Sequence, residues 1–419
     1  MYKIAVCGCG VVGSGVCDAL IHQREKLSRR FAQDVGLAYV LDIRDLKGTP
    51  YEEYKTDSLE TILSDPEVQV VTITIGGLDL AADYCFKALE AGKHVVTSNK
   101  AVVAAHGPEL EKLAFSKRRR FMYEASVGGG IPIIRPLNIC LYANDITEIQ
   151  GILNGTTNYM LTGMFRRHAS FDEMLARAQR KGYAEADPTA DVDGYDAARK
   201  IAILSSIAYG GFVDYREVPC RGIRKVLLCD HELADKAGFT IKLIAGSRFE
   251  DGCVYISVEP KLVPRGHLLS DVNSVYNAIL TKGCYTGDTL FYGQGAGKEA
   301  TASAVVGDII ELLGTPSTVT LPEFVNKKAT VAPDNRPARY YLRFTSLRPI
   351  RAGSLIDLFG DDTLCLYSKV EKDPWEDIDV DVTGAVITPA FTPEELAEKV
   401  PGLNPLGATL RLTLKVLDD

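Results

Sequence analysis

Short blocks of aliphatic and β-branched residues, each bounded by glycines or polar turns, punctuate the first third of the chain. Tyr2–Cys7, Leu37–Arg44 and Val68–Gly77 are of this kind, the pattern of strands buried on both faces. A helical period follows, from Val11 onward and again from Leu80 to Ala91, where Gly92 supplies a stop. Strands alternating with helices predict a parallel, doubly wound sheet over residues 1–135. Beyond residue 136 the period changes. Asp145–Met160 alternates as a strand and breaks at Asn154-Gly155, a turn that a threonine hydroxyl could cap as the next helix begins. Phe239–Ala245, Cys253–Pro260, Tyr276–Leu280 and Gly287–Gly293 look like strands of an antiparallel sheet. An α+β unit is therefore expected over 136–325, with the helix near 298–314 packing back on the first domain. A last βα rhythm fills 335–419: Arg339–Thr345, Leu364–Lys369, Val382–Thr388, a helix at Pro393–Lys399, and Leu410–Lys415.

A length of 419 residues suits two or three such domains, and 46% hydrophobic residues supply ample core. The net charge of −8 argues against nucleic acid or an anionic membrane as the main partner. Ten cysteines without a CxxC spacing point to reduced thiols in the cytoplasm. The chain opens directly on a strand and holds no apolar run of spanning length, so neither a signal peptide nor a transmembrane helix is expected.

The first βα turn reads Gly8-Cys9-Gly10-Val11-Val12-Gly13, a G-x-G-x-x-G fingerprint between strand and helix. Gly8 permits the tight turn, Gly10 lets the backbone approach a pyrophosphate, Gly13 allows close packing, and the helix start at Val11 and Val12 meets the anion. This is a Rossmann-type dinucleotide site. Asp42 could bond the ribose hydroxyls of NAD and Arg44 the 2′-phosphate of NADP, which leaves the cofactor open between the two. Ligands of such sheets lie beyond the strands' carboxyl ends, where Gly76, Gly77, Ser98, Asn99 and Lys100 fall. A second glycine turn, Gly293–Gly297, opens a helix through Glu299 that could face the nicotinamide or merely pack. A third, Gly128–Gly130, suits either a ligand or a joint between domains. Lys117–Arg120 ends a helix, where cations complement the dipole.

The densest chemistry lies in residues 182–200, where Glu185, Asp187, Asp191, Asp193 and Asp196 precede Lys200. Pro188 discourages helix at Asp187, so a loop is expected to enter a helix near Gly194, placing Asp196 and Lys200 on one face. A solvated acidic loop with an ordinary i,i+4 pair is one reading. A calcium loop is another, but lysine stands where the bidentate glutamate belongs and would repel the metal.

The motif Ala178-x-x-x-Gly182-Tyr-Ala-x-x-Asp187-Pro-x-x-Asp191-Val-x-Gly194-x-Asp196-x-x-x-Lys200 resembles that of the homoserine dehydrogenases. Similar in order are the loop at Gly8, Thr97-Ser-Asn-Lys100, Glu124-Ala-Ser-Val-Gly-Gly-Gly-Ile-Pro, Asn154-Gly-Thr-Thr-Asn-Tyr159 and Gly293-Gln-Gly-Ala-Gly297. The resemblance covers about residues 1–320. It implies a reversible, NAD- or NADP-dependent reduction of L-aspartate 4-semialdehyde to L-homoserine, in an amino-acid biosynthetic enzyme that is a homodimer through its second domain. It further implies an N-terminal Rossmann domain, a catalytic and dimerisation domain, and a diverged ACT-like C-terminal domain in which Ser346–Gly353 replaces the usual first turn. For that chemistry Lys100 and Lys200 are expected to flank the reacting oxygen, either able to serve as proton donor with Lys200 favoured, and Asp196 to hold Lys200 through the i,i+4 contact. Glu185 and Asp191, with Tyr183, Gly155 and Thr156, bind the substrate and its ammonium. The carbonyls of Glu124, Val127, Gly129 and Ile131 are candidates for a monovalent cation, Na⁺ or K⁺. Two positions depart from the family: Leu78-Asp-Leu-Ala81 and Ala300 lack the family's prolines. An oxidoreductase acting on another small carbonyl compound, and a nucleotide-binding sensor, are the competing classes.

Overall fold

The computed structural model describes residues 2–314, 321–368, 372–373, 378–379 and 382–417. The first sheet is built from β1 (Tyr2–Cys7), β2 (Val35–Leu41), β3 (Lys55–Thr56), β4 (Val68–Ile73), β5 (His94–Thr97) and β6 (Phe121–Met122). Its order, β3-β2-β1-β4-β5-β6, is parallel throughout. Between its strands run α1 (Val11–His22), α2 (Arg24–Phe31), α3 (Leu59–Ser64), α4 (Asp79–Glu90) and α5 (Lys100–Ser116).

Several boundaries differ from those read in the sequence. β2 stops at Leu41, which leaves Asp42 and Arg44 beyond its end. β6, which a longer strand running from Phe121 into the Gly128–Gly130 turn would have extended, holds only two residues before a 3-10 turn at Glu124–Ser126. That turn is bonded into a buried network: Glu124 N–H donates to Asp308 at 2.9 Å, and the Glu124 carboxylate accepts from the N–H groups of Ile133, Ile134 and Arg135. Lys117–Arg120 lies past the end of α5 rather than in its last turn. Arg119 instead donates to the Gly92 carbonyl and Arg120 pairs with Glu311.

The second region comprises β7 (Ile146–Ile152), α6 (Gly155–Arg167), α7 (Phe171–Arg180), α8 (Thr189–Val192), α9 (Tyr195–Tyr209) and α10 (Leu228–Lys236). After them come β8 (Phe239–Glu250), β9 (Cys253–Pro264), β10 (Tyr276–Gly283), β11 (Gly287–Gln294) and α11 (Lys298–Gly314). The loop 182–194 thus contains one helical turn, α8, that its sequence did not announce. Helices α6, α9 and α10 cover one face of this sheet. α11 lies against α1 in the other core of the first sheet, where Val305, Ile309 and Leu312 join Ile4, Val6, Val16 and Leu20.

The tail adds β12 (Thr330–Ala332), β13 (Tyr340–Ser346), α12 (Ala352–Phe359), β14 (Leu364–Ser368), the two-residue pair β15 (Lys372–Asp373) and β16 (Ile378–Asp379), β17 (Val382–Ile387), α13 (Pro393–Lys399) and β18 (Ala408–Val416). The expected strand from Leu364 thus runs to Ser368; Lys369 lies outside the described residues. Apart from β12, which pairs with β9, and the small β15-β16 pair, the tail is a βαββαβ unit with order β18-β13-β17-β14. Its sheet is not separate: β18 pairs in parallel with β9, so tail and second region share one ten-stranded sheet. A buried link reinforces the join, in which Tyr341 and Arg343 of β13 reach Asp230 of α10 at 2.7 and 3.3 Å.

Candidate active site

Gly194 opens α9 with φ +90°, a conformation that side chains rarely adopt, and the turn it makes puts Asp196 in the first helical turn. Lys200 follows one turn later on the same face, and its Nζ lies 2.8 Å from Asp196 Oδ2. Lys100, the first residue of α5 in the other domain, brings its Nζ within 2.9 Å of Asp196 Oδ1. One buried carboxylate therefore bridges two ammonium groups from two domains. Lys200 also donates to the Leu153 carbonyl at 2.7 Å, leaving one of its three protons for a ligand.

The electrostatics separate the two lysines. Burial works against the Asp196 charge, but Lys200 and then Lys100 outweigh it, so the carboxyl sits below the usual carboxylate range. Burial lowers the Lys200 ammonium, which is 7% exposed, and Asp196 recovers only part of the loss. Lys100 is raised, chiefly by Asp196. Lys100 thus stays a fixed cation, while Lys200 is the more readily deprotonated.

On the cofactor side, Gly8 has φ +96°, and a Cβ at Gly13 would collide with the Gly8 carbonyl oxygen. Around Gly10 the space is open: nothing lies within 4 Å of where its Cβ would stand. Gly8 and Gly13 are required by the protein's own packing. Gly10 is not, so its bareness suits a bound pyrophosphate. Asp42 accepts from the Cys9 N–H, and the Arg44 guanidinium forks onto it with two 2.9 Å bonds. Asn99 caps α5 through Ala101 and Val102, and its Nδ2 donates to the Ile75 and Gly77 carbonyls at 3.0 and 2.5 Å. One amide thereby holds the Gly76-Gly77 loop beside Lys100. At the second glycine turn Gly297 has φ +119°, Glu299 is exposed in the first turn of α11, and Lys298 pairs with Asp18 of α1 at 2.7 Å.

Residues 132–310 match the family model described as homoserine dehydrogenase, and residues 8–124 that of its NAD binding domain. A homoserine dehydrogenase of Synechocystis is 46% identical over 318 residues, covering 74% of this chain and 73% of the relative. The chain belongs to the homoserine dehydrogenase family. A Lactococcus lactis member is 36% identical over 365 residues, with 85% of each chain covered. Among solved structures, a homoserine dehydrogenase from Thiobacillus denitrificans superposes with a TM-score of 0.88 at 31% identity, covering 100% of this chain and 98% of the other. A hyperthermophilic archaeal homoserine dehydrogenase in complex with NADPH has a TM-score of 0.64 at 26% identity, covering 75% and 98%.

Of the five carboxylates in the acidic stretch, the fold brings only Asp191 and Asp196 together, on one Asn154 amide. Asp193 turns away to Arg224 at 2.6 Å, and Asp187 accepts from the Thr189 N–H in a local turn. Glu185 is exposed, with its main-chain carbonyl held by Gln179. Thr156 donates to the Tyr183 carbonyl at 2.6 Å, and Tyr183 packs edge-on to Tyr159. Gly155 and Thr156 form the first turn of α6.

Asn154, read in the sequence only as part of a turn and a motif, belongs to the site itself. It, not a threonine, caps α6, accepting from Thr157 N–H at 2.8 Å. Its Nδ2 donates to Asp191 at 2.7 Å and to Asp196 at 2.9 Å, holding apart two acids that would otherwise repel. The cap was readable from Asn before Gly-Thr-Thr; the bridge, spanning some forty residues, was not. Asn154→Ala is expected to cost about 1 kcal/mol from the cap, read as a lower thermal midpoint. Asn154→Asp can still cap, yet it adds a third carboxylate, so a turnover loss of about tenfold or more is expected in steady-state kinetics.

Proposed function

We propose that this chain interconverts L-aspartate 4-semialdehyde and L-homoserine, using the Asp196 centre for the proton and the glycine turns for the cofactor. The observation that carries the reading is the single carboxylate shared by Lys100 and Lys200 beside a dinucleotide turn. When bound, the nicotinamide supplies the hydride in one direction and accepts it in the other. Lys200 gives its proton to the carbonyl oxygen, Lys100 stabilises the charge developing there, and Asp196 keeps both ammonium groups in place. The alternatives, a nucleotide-binding sensor or an enzyme of another small carbonyl compound, do not call for this pair of lysines.

The α6 start offers N–H groups at Gly155 and Thr156, which suit the substrate carboxylate better than its ammonium. Glu185 and Asp191 remain for the ammonium, with Tyr183 closing that side. The buried turn holding Glu124, Val127, Gly129 and Ile131 suits a monovalent cation through main-chain carbonyls, since the Glu124 side chain is already spent on three N–H groups. A homodimer through the second domain is supported by Tyr276 and Tyr292, which stack in the open on the β10-β11 hairpin. The βαββαβ tail supports a diverged ACT-like domain. Ten free cysteines suit a reducing, cytoplasmic setting. Among the described residues no helix is long and apolar enough to cross a membrane.

Between the cofactors, the Arg44 fork already occupies both oxygens of Asp42 and half-exposes a guanidinium to a 2′-phosphate, which favours NADP. Homoserine oxidation followed by NAD(P)H absorbance, with each cofactor in parallel, tests activity and preference together. Arg44→Ala is expected to lower kcat/KM for NADP by about tenfold or more while sparing NAD, since a charged hydrogen bond is worth about 1.5–3 kcal/mol. Absence of homoserine-dependent NAD(P)H with either cofactor would sink the reading.

A further inference from the structure

Away from the active site, the face of the second sheet carries three lysines in register. Lys242 of β8 stands opposite Lys261 of β9, and Lys261 opposite Lys415 of β18. Residues paired in this way share one face, where like charges repel. Lys242 is accounted for: its Nζ donates to the Val272 carbonyl at 2.5 Å and to Asn273 Oδ1 at 3.0 Å. Lys261 and Lys415 instead line a cavity of about 550 Å³ between the sheet, residues 219–221 and the 332–338 strand-to-strand connection.

Five cationic and three acidic side chains line this cavity; Glu250, outside it, takes Arg248, which leaves one positive charge in excess. Glu259 is taken by Arg221 at 3.1 Å and lies 3.8 Å from Lys261. Asp334 is taken by Arg336 at 3.0 Å, and Glu148 accepts from Gln150 at 2.8 Å. Among the described residues Lys415 makes no close ion pair, although its charge acts on Asp334, whose oxygens are already taken by Arg336. Among the described residues one buried donor of the same lining, Arg248 Nε, lacks a hydrogen-bond partner, which an anion could supply. The cavity's size lies in the range of small-molecule pockets.

We propose that this cavity binds a small multivalent anion, a carboxylate or a phosphate, between Lys261 and Lys415, and that its occupancy is felt at the catalytic loop. The connection is short. Arg221 lines the cavity and is fixed to β9 by its N–H on the Val258 carbonyl at 2.7 Å. Two residues on, Ile223 N–H donates to the Val192 carbonyl at 2.9 Å, and Arg224 holds Asp193. Those contacts border Gly194, whose turn aims Asp196. An anion that draws on Arg221 therefore pulls on the segment that positions the catalytic carboxylate.

The test uses the full chain at constant ionic strength, with succinate and inorganic phosphate as separate probes, followed by calorimetry and thermal melting. Saturable binding of at least one probe, with a rise in melting temperature, is the expected result, and the probe that saturates names the chemistry. Lys415→Met should weaken that binding by about tenfold or more, as expected for loss of a charged hydrogen bond. Without probe, Lys415→Met should melt higher than the parent, because the repulsion with Lys261 is gone, and should keep the parent's turnover. In the parent, the bound probe should change KM for homoserine; in Lys415→Met it should not. Binding is read without turnover, so its failure is distinct from a failure of the dehydrogenase reading. No saturable binding of either probe, equal binding by Lys415→Met, or an unchanged KM in the parent would overturn the proposal. So would a change of oligomeric state in Lys415→Met, which would show the lysines neutralised by a second copy.

Discussion

Lys200→Ala is expected to reduce turnover in both directions by about 10²–10⁴-fold, the usual worth of a positioned acid or base. The effect should fall on kcat more than on KM, because the proton moves in the transition state. The pH profile of the parent provides a second check. Burial depresses the Lys200 ammonium, so its titration should lie below the ordinary lysine value of about 10.4. Aldehyde reduction needs the protonated form and should slow as pH rises through that titration; homoserine oxidation needs the neutral amine and should quicken over the same interval. Lys100 is raised rather than lowered, and its charge helps depress Lys200, so Lys100→Ala should keep this inflection but move it to higher pH while reducing the rate. Near-parent turnover in Lys200→Ala would remove it from the role.

Asp196→Ala is the change with the greatest expected cost to the fold as well as to activity. It leaves the buried Lys200 ammonium without a counter-charge and beside the partly exposed Lys100, and breaking a buried pair such as Lys200–Asp196 costs about 3–5 kcal/mol. Thermal melting should show a large drop, and turnover should fall as far as in Lys200→Ala. Asp196→Asn keeps the shape but removes the charge, so recovery of melting without recovery of turnover would locate the effect in electrostatics. The pH dependence has a definite sign. The folded Asp196 carboxyl lies below its unfolded value of about 3.9, so its stabilisation is present above that pH and is lost in stronger acid. A midpoint in Asp196→Ala equal to the parent's at neutral pH would contradict this account.

How much of this site could be read in advance depended on distance along the chain. The Asp196–Lys200 pair follows from a four-residue spacing and from helix formers after Gly194, and both are local. The glycine turn at Gly8–Gly13 was legible for the same reason, since strand, glycines and helix are contiguous. Lys100 was legible as lying at a strand's carboxyl end, but not as reaching the other oxygen of Asp196. Asp193 stood in the same acidic run, yet its carboxylate went to Arg224, supplied by a segment some thirty residues later. Asn154 escaped because a cap is recognised by its own helix, whereas its second role depends on which acids the fold delivers beside it.

By itself, then, the sequence determined what near neighbours decide: the alternation of strands and helices, the phosphate-type turn, the i,i+4 pair and the βα rhythm of the tail. Only the tertiary structure decided which charges meet. It selected Asp191 and Asp196 from five carboxylates, drew Lys100 across from the other domain, and merged the tail into the sheet of the second region. It also set three lysines side by side across β8, β9 and β18. These outcomes rest on contacts between distant segments, whose pairing is set by sheet register and by the burial of charge rather than by any local preference.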